Sequence, residues 1–158
     1  MYQKVLVPLD GSELAECSLP QIINLAKEGA LGEVILLHVA VLELPWQSIN
    51  LDDTGLGNRF DFNALRNSNL EKAKTYLTGV QSRLAAAGLQ AQIVTLEADR
   101  PAAAVLDYAR EQGVDLLVLA THGYSGMKKM LLGSVAFKIL HESPVPVLLV
   151  RPESCRPW

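Results

Sequence analysis

Residues 116–134 read Leu116-Leu117-Val118-Leu119-Ala120-Thr121-His122-Gly123-Tyr124-Ser125-Gly126-Met127-Lys128-Lys129-Met130-Leu131-Leu132-Gly133-Ser134. The first four residues are all apolar, which marks a strand covered by helices on both faces rather than one with a wet side. A glycine-rich connection follows. Gly133-Ser134 then opens a helical pattern carrying Val135, Ile139 and Leu140, which stops before Pro144. Buried strand, turn and helix form the front of a strand–helix–strand crossover, the unit of a parallel sheet.

The flanking chain has the same rhythm. Val5-Leu6-Val7 is an apolar run ending in Pro8-Leu9-Asp10-Gly11-Ser12. There Ser12 suits a helix cap, and Glu13 and Glu16 complement the positive helix end. Leu19, Ile22, Ile23 and Ala26 recur at helical spacing, Pro20 is expected to kink that helix, and Gly29 and Gly32 to punctuate its end. Val34-Ile35-Leu36-Leu37-His38-Val39 reads as a second central strand. Residues 41–66 lack periodicity and carry Pro45, Asp52-Asp53, Gly55 and Gly57, so a flexible flap is expected there. Leu70, Ala73, Leu77, Val80, Leu84 and Ala87 make a helix closed by Gly88. A less buried strand over 91–96, a helix opened by Pro101 and ended by Gly113, and a last strand over 146–150 complete the chain. This order predicts an α/β fold: one open, twisted, five-stranded parallel sheet with helices on both faces, strand order 3-2-1-4-5, Rossmann-like. One domain over 1–152 and a tail over 153–158 are expected.

The 158 residues suit a single domain, and 49% hydrophobic with 20% charged residues is a globular mix. A net charge of -3 with both signs dispersed argues against a general binder of nucleic acid or anionic membranes. No apolar run approaches the ~18 residues of a membrane span. Met1-Tyr2-Gln3-Lys4 leads directly into a strand, so no secretory signal is expected. Cys17 and Cys155 lack metal-ligand spacing and read as reduced thiols of a cytoplasmic protein.

Ligands of open α/β sheets bind beyond the carboxyl ends of the strands, where the strand order reverses. In the expected order that point lies between the first and fourth strands, where Pro8-Leu9-Asp10-Gly11-Ser12 meets Ala120-Thr121-His122-Gly123. Gly123, Gly126 and Gly133 allow the backbone to approach a ligand closely, and a helix start at Gly133-Ser134 offers free N–H groups to an anion. The same residues also fit a plain strand-to-helix connection in which Ser134 merely caps. Neither Gly-Lys-Ser/Thr nor a Gly-x-Gly-x-x-Gly after the first strand is present, which excludes the standard P-loop and dinucleotide routes.

At these residues the chain closely resembles the universal stress protein family, whose nucleotide-binding members carry Gly-x2-Gly-x9-Gly-Ser/Thr. Here Gly123 and Gly133 enclose nine residues and Ser134 follows. Lys4 to Ser12, Ile35 to Val39 and Ser143 to Arg151 are similar to the family as well. Ala120 stands where the family has its first glycine, and Asp99-Arg100-Pro101 replaces a glycine often found before the third helix.

The resemblance implies an adenine nucleotide, ATP or AMP. Asp10 and the Val39 backbone would hold its adenine or ribose end, with Pro8 and Leu9 as the wall. Ala120, His122 and Gly123 would line the ribose and first phosphate, and Gly133, Ser134 and Val135 would hold the outer phosphates beside Ala136. Mg2+ or Mn2+ would bridge phosphate oxygens. Lys128 and Lys129 read as a solvated face, and His38 and His141 as structural. No general base aimed at a γ-phosphate is evident, so a nucleotide-bound stress sensor is expected, with at most weak ATP hydrolysis. The Ala120 methyl crowds the ribose or phosphate and keeps open a nucleotide-free interaction protein. An uncovered Val147-Leu148-Leu149-Val150 edge, together with the resemblance, implies a homodimer through strand 146–150.

Overall fold

Three consecutive residues, Val5, Leu6 and Val7, are fully buried yet serve two different cores. Successive side chains of a strand point to opposite faces, so a strand that is apolar throughout demands a helix layer on each side. The computed structural model, which describes residues 1–41, 61–121 and 133–151, supplies both layers. Its strands are β1 (Tyr2–Pro8), β2 (Leu31–Ala40), β3 (Gln92–Glu97), β4 (Leu116–Ala120) and β5 (Val147–Val150). Its helices are α1 (Glu13–Glu16), α2 (Leu19–Lys27), α3 (Phe62–Ala86), α4 (Pro101–Glu111) and α5 (Ser134–Glu142).

All strand pairings are parallel and the order is β3-β2-β1-β4-β5. Val5, Val7, Val34, Leu36, Leu116 and Val118 meet Leu19 and Ile22 of α2 and Leu77, Val80 and Leu84 of α3 on one face. Leu6, Ile35, Leu37, Leu117 and Leu119 meet Val105 and Leu106 of α4 and Ala136 and Ile139 of α5 on the other. The α/β, Rossmann-like fold expected from the sequence is the fold observed. Among the described residues no helix is long and apolar enough to cross a membrane.

Several local expectations are corrected. Pro20 does not kink a longer helix; the chain breaks ahead of it, at Cys17 and Ser18, and Pro20 occupies the first turn of α2, where a missing N–H costs nothing. Gly32 is not a helix stop but lies within β2, where a Cβ would stand 2.5 Å from the Gln3 carbonyl oxygen. α3 starts at Phe62, capped by the Asp61 carboxylate, which accepts from the Ala64 N–H at 3.0 Å. Residues 62–66 of the expected flap are therefore helical. Their turns are mostly exposed and carry no apolar stripe to read. Of the rest of the flap, residues 42–60 lie outside the described residues, as do residue 152 and the expected tail over 153–158. Cys17, expected as a reduced thiol, is disulfide-bonded; spacing along a chain is silent about distance in space.

Candidate functional site

β1 pairs with β2 on one side and β4 on the other. The chain leaving β1 turns toward β2 and the chain leaving β4 toward β5, so the connections diverge and leave a crevice at the carboxyl ends of both strands. A cavity of about 430 Å³ opens there. It brings together Pro8 at the end of β1, Leu9 and Asp10 just beyond it, Val39 on β2, Ala120 at the end of β4, and Gly133, Ser134, Val135 and Ala136 at the start of α5. His122 and Gly123, the remaining expected site residues, lie outside the described residues.

The β1 side of the crevice is set by a chain of local hydrogen bonds. The Leu9 N–H donates to the Leu37 carbonyl at 2.8 Å, carrying the sheet one residue past β1. Asp10 then turns back: its Oδ1 accepts from the Ser12 N–H at 2.9 Å and the Ser12 hydroxyl at 2.6 Å. The Ser12 Oγ in turn accepts from the Ala15 N–H at 3.1 Å and caps α1. Asp10 thus fixes the turn as well as facing the cavity, and the capping role expected of Ser12 is observed.

On the β4 side the Thr121 N–H donates to the Val150 carbonyl at 2.9 Å, which extends β4 to the cavity floor. α5 begins with Gly133, not Ser134, as its cap, and no side chain bonds to its first turn among the described residues. The N–H groups of that turn are thus available to an anion, with the positive end of the helix dipole behind them. Gly133 has φ -58° and ψ 152°, a conformation any residue adopts. The backbone does not require glycine here, whereas close approach of a ligand would.

Apolar residues not expected at the site from the sequence add to the wall, among them Val41 beyond β2, Pro101 and Val105 on α4, Leu119 on β4 and Ile139 on α5. Pro101 and Val105 lie one helical turn apart on a helix that starts beyond the carboxyl end of β3. The switch-point rule, extended to that helix, would have found them. Asp10 and His38 are the titratable side chains among the described lining residues.

His38, expected to be structural, sits on β2 between this cavity and a more open hollow of about 530 Å³ beside α3, and lines both. Its ring stands edge-on to Tyr76, with centroids 6.0 Å apart, and its Nδ1 is buried without a hydrogen-bond partner. Burial pushes its pKa below the ordinary 6.5, against the pull of the nearby Asp10 carboxylate and Leu9 carbonyl. The arrangement thus offers apolar lining together with helix N–H donors, and among the described residues no group of three or more His, Cys, Asp or Glu that could hold a metal ion.

Comparison with known proteins agrees with this architecture. A model of the universal stress protein family matches residues 1–151. Universal stress protein YxiE of Bacillus subtilis is 33% identical over 151 residues, covering 96% of this chain and all of that protein. The solved structure of MJ0577, a universal stress protein of Methanocaldococcus jannaschii, superposes with a TM-score of 0.72 at 30% identity, covering 96% of both chains. A universal stress protein family protein from Arabidopsis thaliana, solved with AMP bound, shares the fold at a TM-score of 0.63 and 17% identity, over 94% of this chain and 91% of that one.

Proposed function

The chain belongs to the universal stress protein family, and on that premise we propose that it binds an adenine nucleotide, AMP or ATP, in the cavity between β1 and β4 and acts as a stress-response sensor. The observation that carries the reading is the convergence of Asp10, Val39, Ala120 and the Gly133–Ala136 turn, from four separate parts of the chain, on one crevice. The Arabidopsis relative with AMP bound supports the same ligand class. In this reading the adenine lies against Val39, Pro101 and Val105. The phosphates meet the free N–H groups of the α5 first turn and the Ser134 hydroxyl. A divalent cation, Mg2+ or Mn2+, would arrive on the phosphate oxygens rather than in a protein cage. The protein is further proposed to be a homodimer through strand 146–150, whose edge β5 presents opposite β4.

Calorimetric titration with AMP, ATP and cyclic AMP tests the ligand. Saturable heat with AMP or ATP is expected, and a Gly133→Val variant should lose it, because the backbone accepts valine while its side chain fills the approach to α5. Absence of heat or thermal shift with all three nucleotides would refute nucleotide binding. Full binding by Gly133→Val would refute the phosphate site.

A further inference from the structure

The hollow of about 530 Å³ beside α3 adjoins the candidate nucleotide cavity at the carboxyl end of β2. His38 and Val41 line both, and Asp10, which lines the cavity, is followed by Gly11, which lines the hollow. Asn69, Lys72 and Tyr76, three and four residues apart on α3, form its helix wall. Among the described lining residues the ionisable side chains are His38, Lys72 and Tyr76, and none is a carboxylate. The two arginines of α3 are engaged elsewhere, Arg66 with Glu97 at 2.8 Å and Arg83 with Glu16 at 2.7 Å. Lys72 and Asn69 have no ion-pair or hydrogen-bond partner among the described residues. Both hydrogen bonds of the Asp10 carboxylate described above fall on Oδ1, which leaves Oδ2 for a ligand.

We propose that this hollow is a subsite for a phosphate esterified to the ribose 2′ or 3′ oxygen of the nucleotide, so that the favoured ligand is an adenosine bisphosphate rather than AMP or ATP. This subsite rests on the nucleotide reading above and narrows its ligand class. Ribose hydroxyls are natural donors to a carboxylate. The ribose therefore lies at Asp10 Oδ2, with its 5′-phosphate running to the first turn of α5 and its 2′ and 3′ oxygens toward the junction of the two cavities. One hydroxyl stays with Asp10. A phosphate on the other passes Gly11, beside which a Cβ would meet no atom within 4 Å, and enters the hollow. There Lys72 supplies a cation and Asn69 an amide N–H, and a charge-assisted bond to phosphate is about twice as strong as a neutral one. Glu16 does not oppose the phosphate, because Arg83 already neutralises it. The 5′-phosphates of AMP or ATP run the other way, to α5, and leave Lys72 unused.

Calorimetric titration of the full chain with AMP, adenosine 2′,5′-bisphosphate and adenosine 3′,5′-bisphosphate, at low and at raised salt, separates the possibilities. At least one bisphosphate should bind about fivefold or more tighter than AMP, and which one does so identifies the ribose oxygen. The preference should shrink as salt screens the exposed Lys72. Lys72→Gln should bring that bisphosphate down to the affinity of AMP, with the melting temperature near that of the wild type, and Lys72→Arg should keep the preference. Binding of none of the three nucleotides would overturn the nucleotide reading, and this subsite with it. AMP binding with neither bisphosphate tighter would overturn the subsite alone. So would a Lys72→Gln variant that keeps the full preference.

Discussion

The Asp10 carboxylate serves the fold and, in the proposed site, the ligand, and one substitution separates the two duties. Asn keeps an oxygen able to accept from the Ser12 N–H and hydroxyl, so Asp10→Asn should leave the melting temperature close to that of the wild type while removing the charge. AMP affinity is then expected to fall about tenfold, as when a charged acceptor is lost; unchanged calorimetric affinity would remove Asp10 from the ligand's partners. His38 carries a prediction of opposite kind, about stability. Burial holds its folded pKa below 6.5, so below that pH the unfolded chain binds a proton that the native ring resists. Stability contributed by the neutral ring is complete above pH 6.5 and drains as pH falls toward the lower folded value. Thermal melts at pH 7.5 and pH 5 should show a smaller acid-induced drop for His38→Gln than for the wild type, and equal drops would mean that His38 does not set the slope. At Ala120, the strand end is regular and pairs with Val150, so the methyl is a matter of cavity space and not of backbone geometry.

At the scale of elements, Gly32 shows how tightly the strands are seated. A Cβ there meets backbone, the Gln3 carbonyl, and backbone cannot swing aside as the tip of a side chain can. Gly32→Ala should destabilise the protein by about 1–3 kcal/mol, read as a lower denaturant midpoint at unchanged slope, and an unchanged midpoint would show that β1 and β2 part freely at their amino ends. This glycine also marks where sequence reading stopped. Central strands were legible because Val5–Val7, Val34–Leu37 and Leu116–Leu119 are apolar on both faces, a pattern that a burial requirement writes directly into composition. The switch point followed from strand order. The first turns of α3 were not legible, since an exposed helix start has no apolar face, and propensity alone cannot place it. Nor was the Gly32 contact, which joins residues far apart in the chain. The turn at Asp10–Ser12 and the helix start at Gly133-Ser134 reflect local turn chemistry, and Val39, Val135 and Ala136 came with the family resemblance, whereas Pro101 and Val105 reach the cavity through packing of α4 on the sheet, which strand order and not a local pattern announces.

For the molecule as a whole, α5 ties the proposed ligand to the proposed partner. Its first turn and Ala136 face the cavity, while Phe137 and Leu140 face outward, all within nine residues. On the proposed reading, an anion held by the first turn would order α5 at its amino end and so steady its outward flank. Ordering by one ligand lowers the cost of binding the other, which makes the two favour each other. Linkage then fixes the arithmetic: if saturating AMP tightens the dimer by some factor per site, dimerisation tightens AMP by the same factor. About fivefold or more is the expected size, at the lower end of typical coupling energies. Sedimentation with and without AMP gives one factor, and AMP titrations well below and well above the dimer dissociation constant give the other. Two equal factors above unity are expected for the wild type. A dimer that forms equally well with and without AMP would show that cavity and interface are independent, with α5 serving each separately.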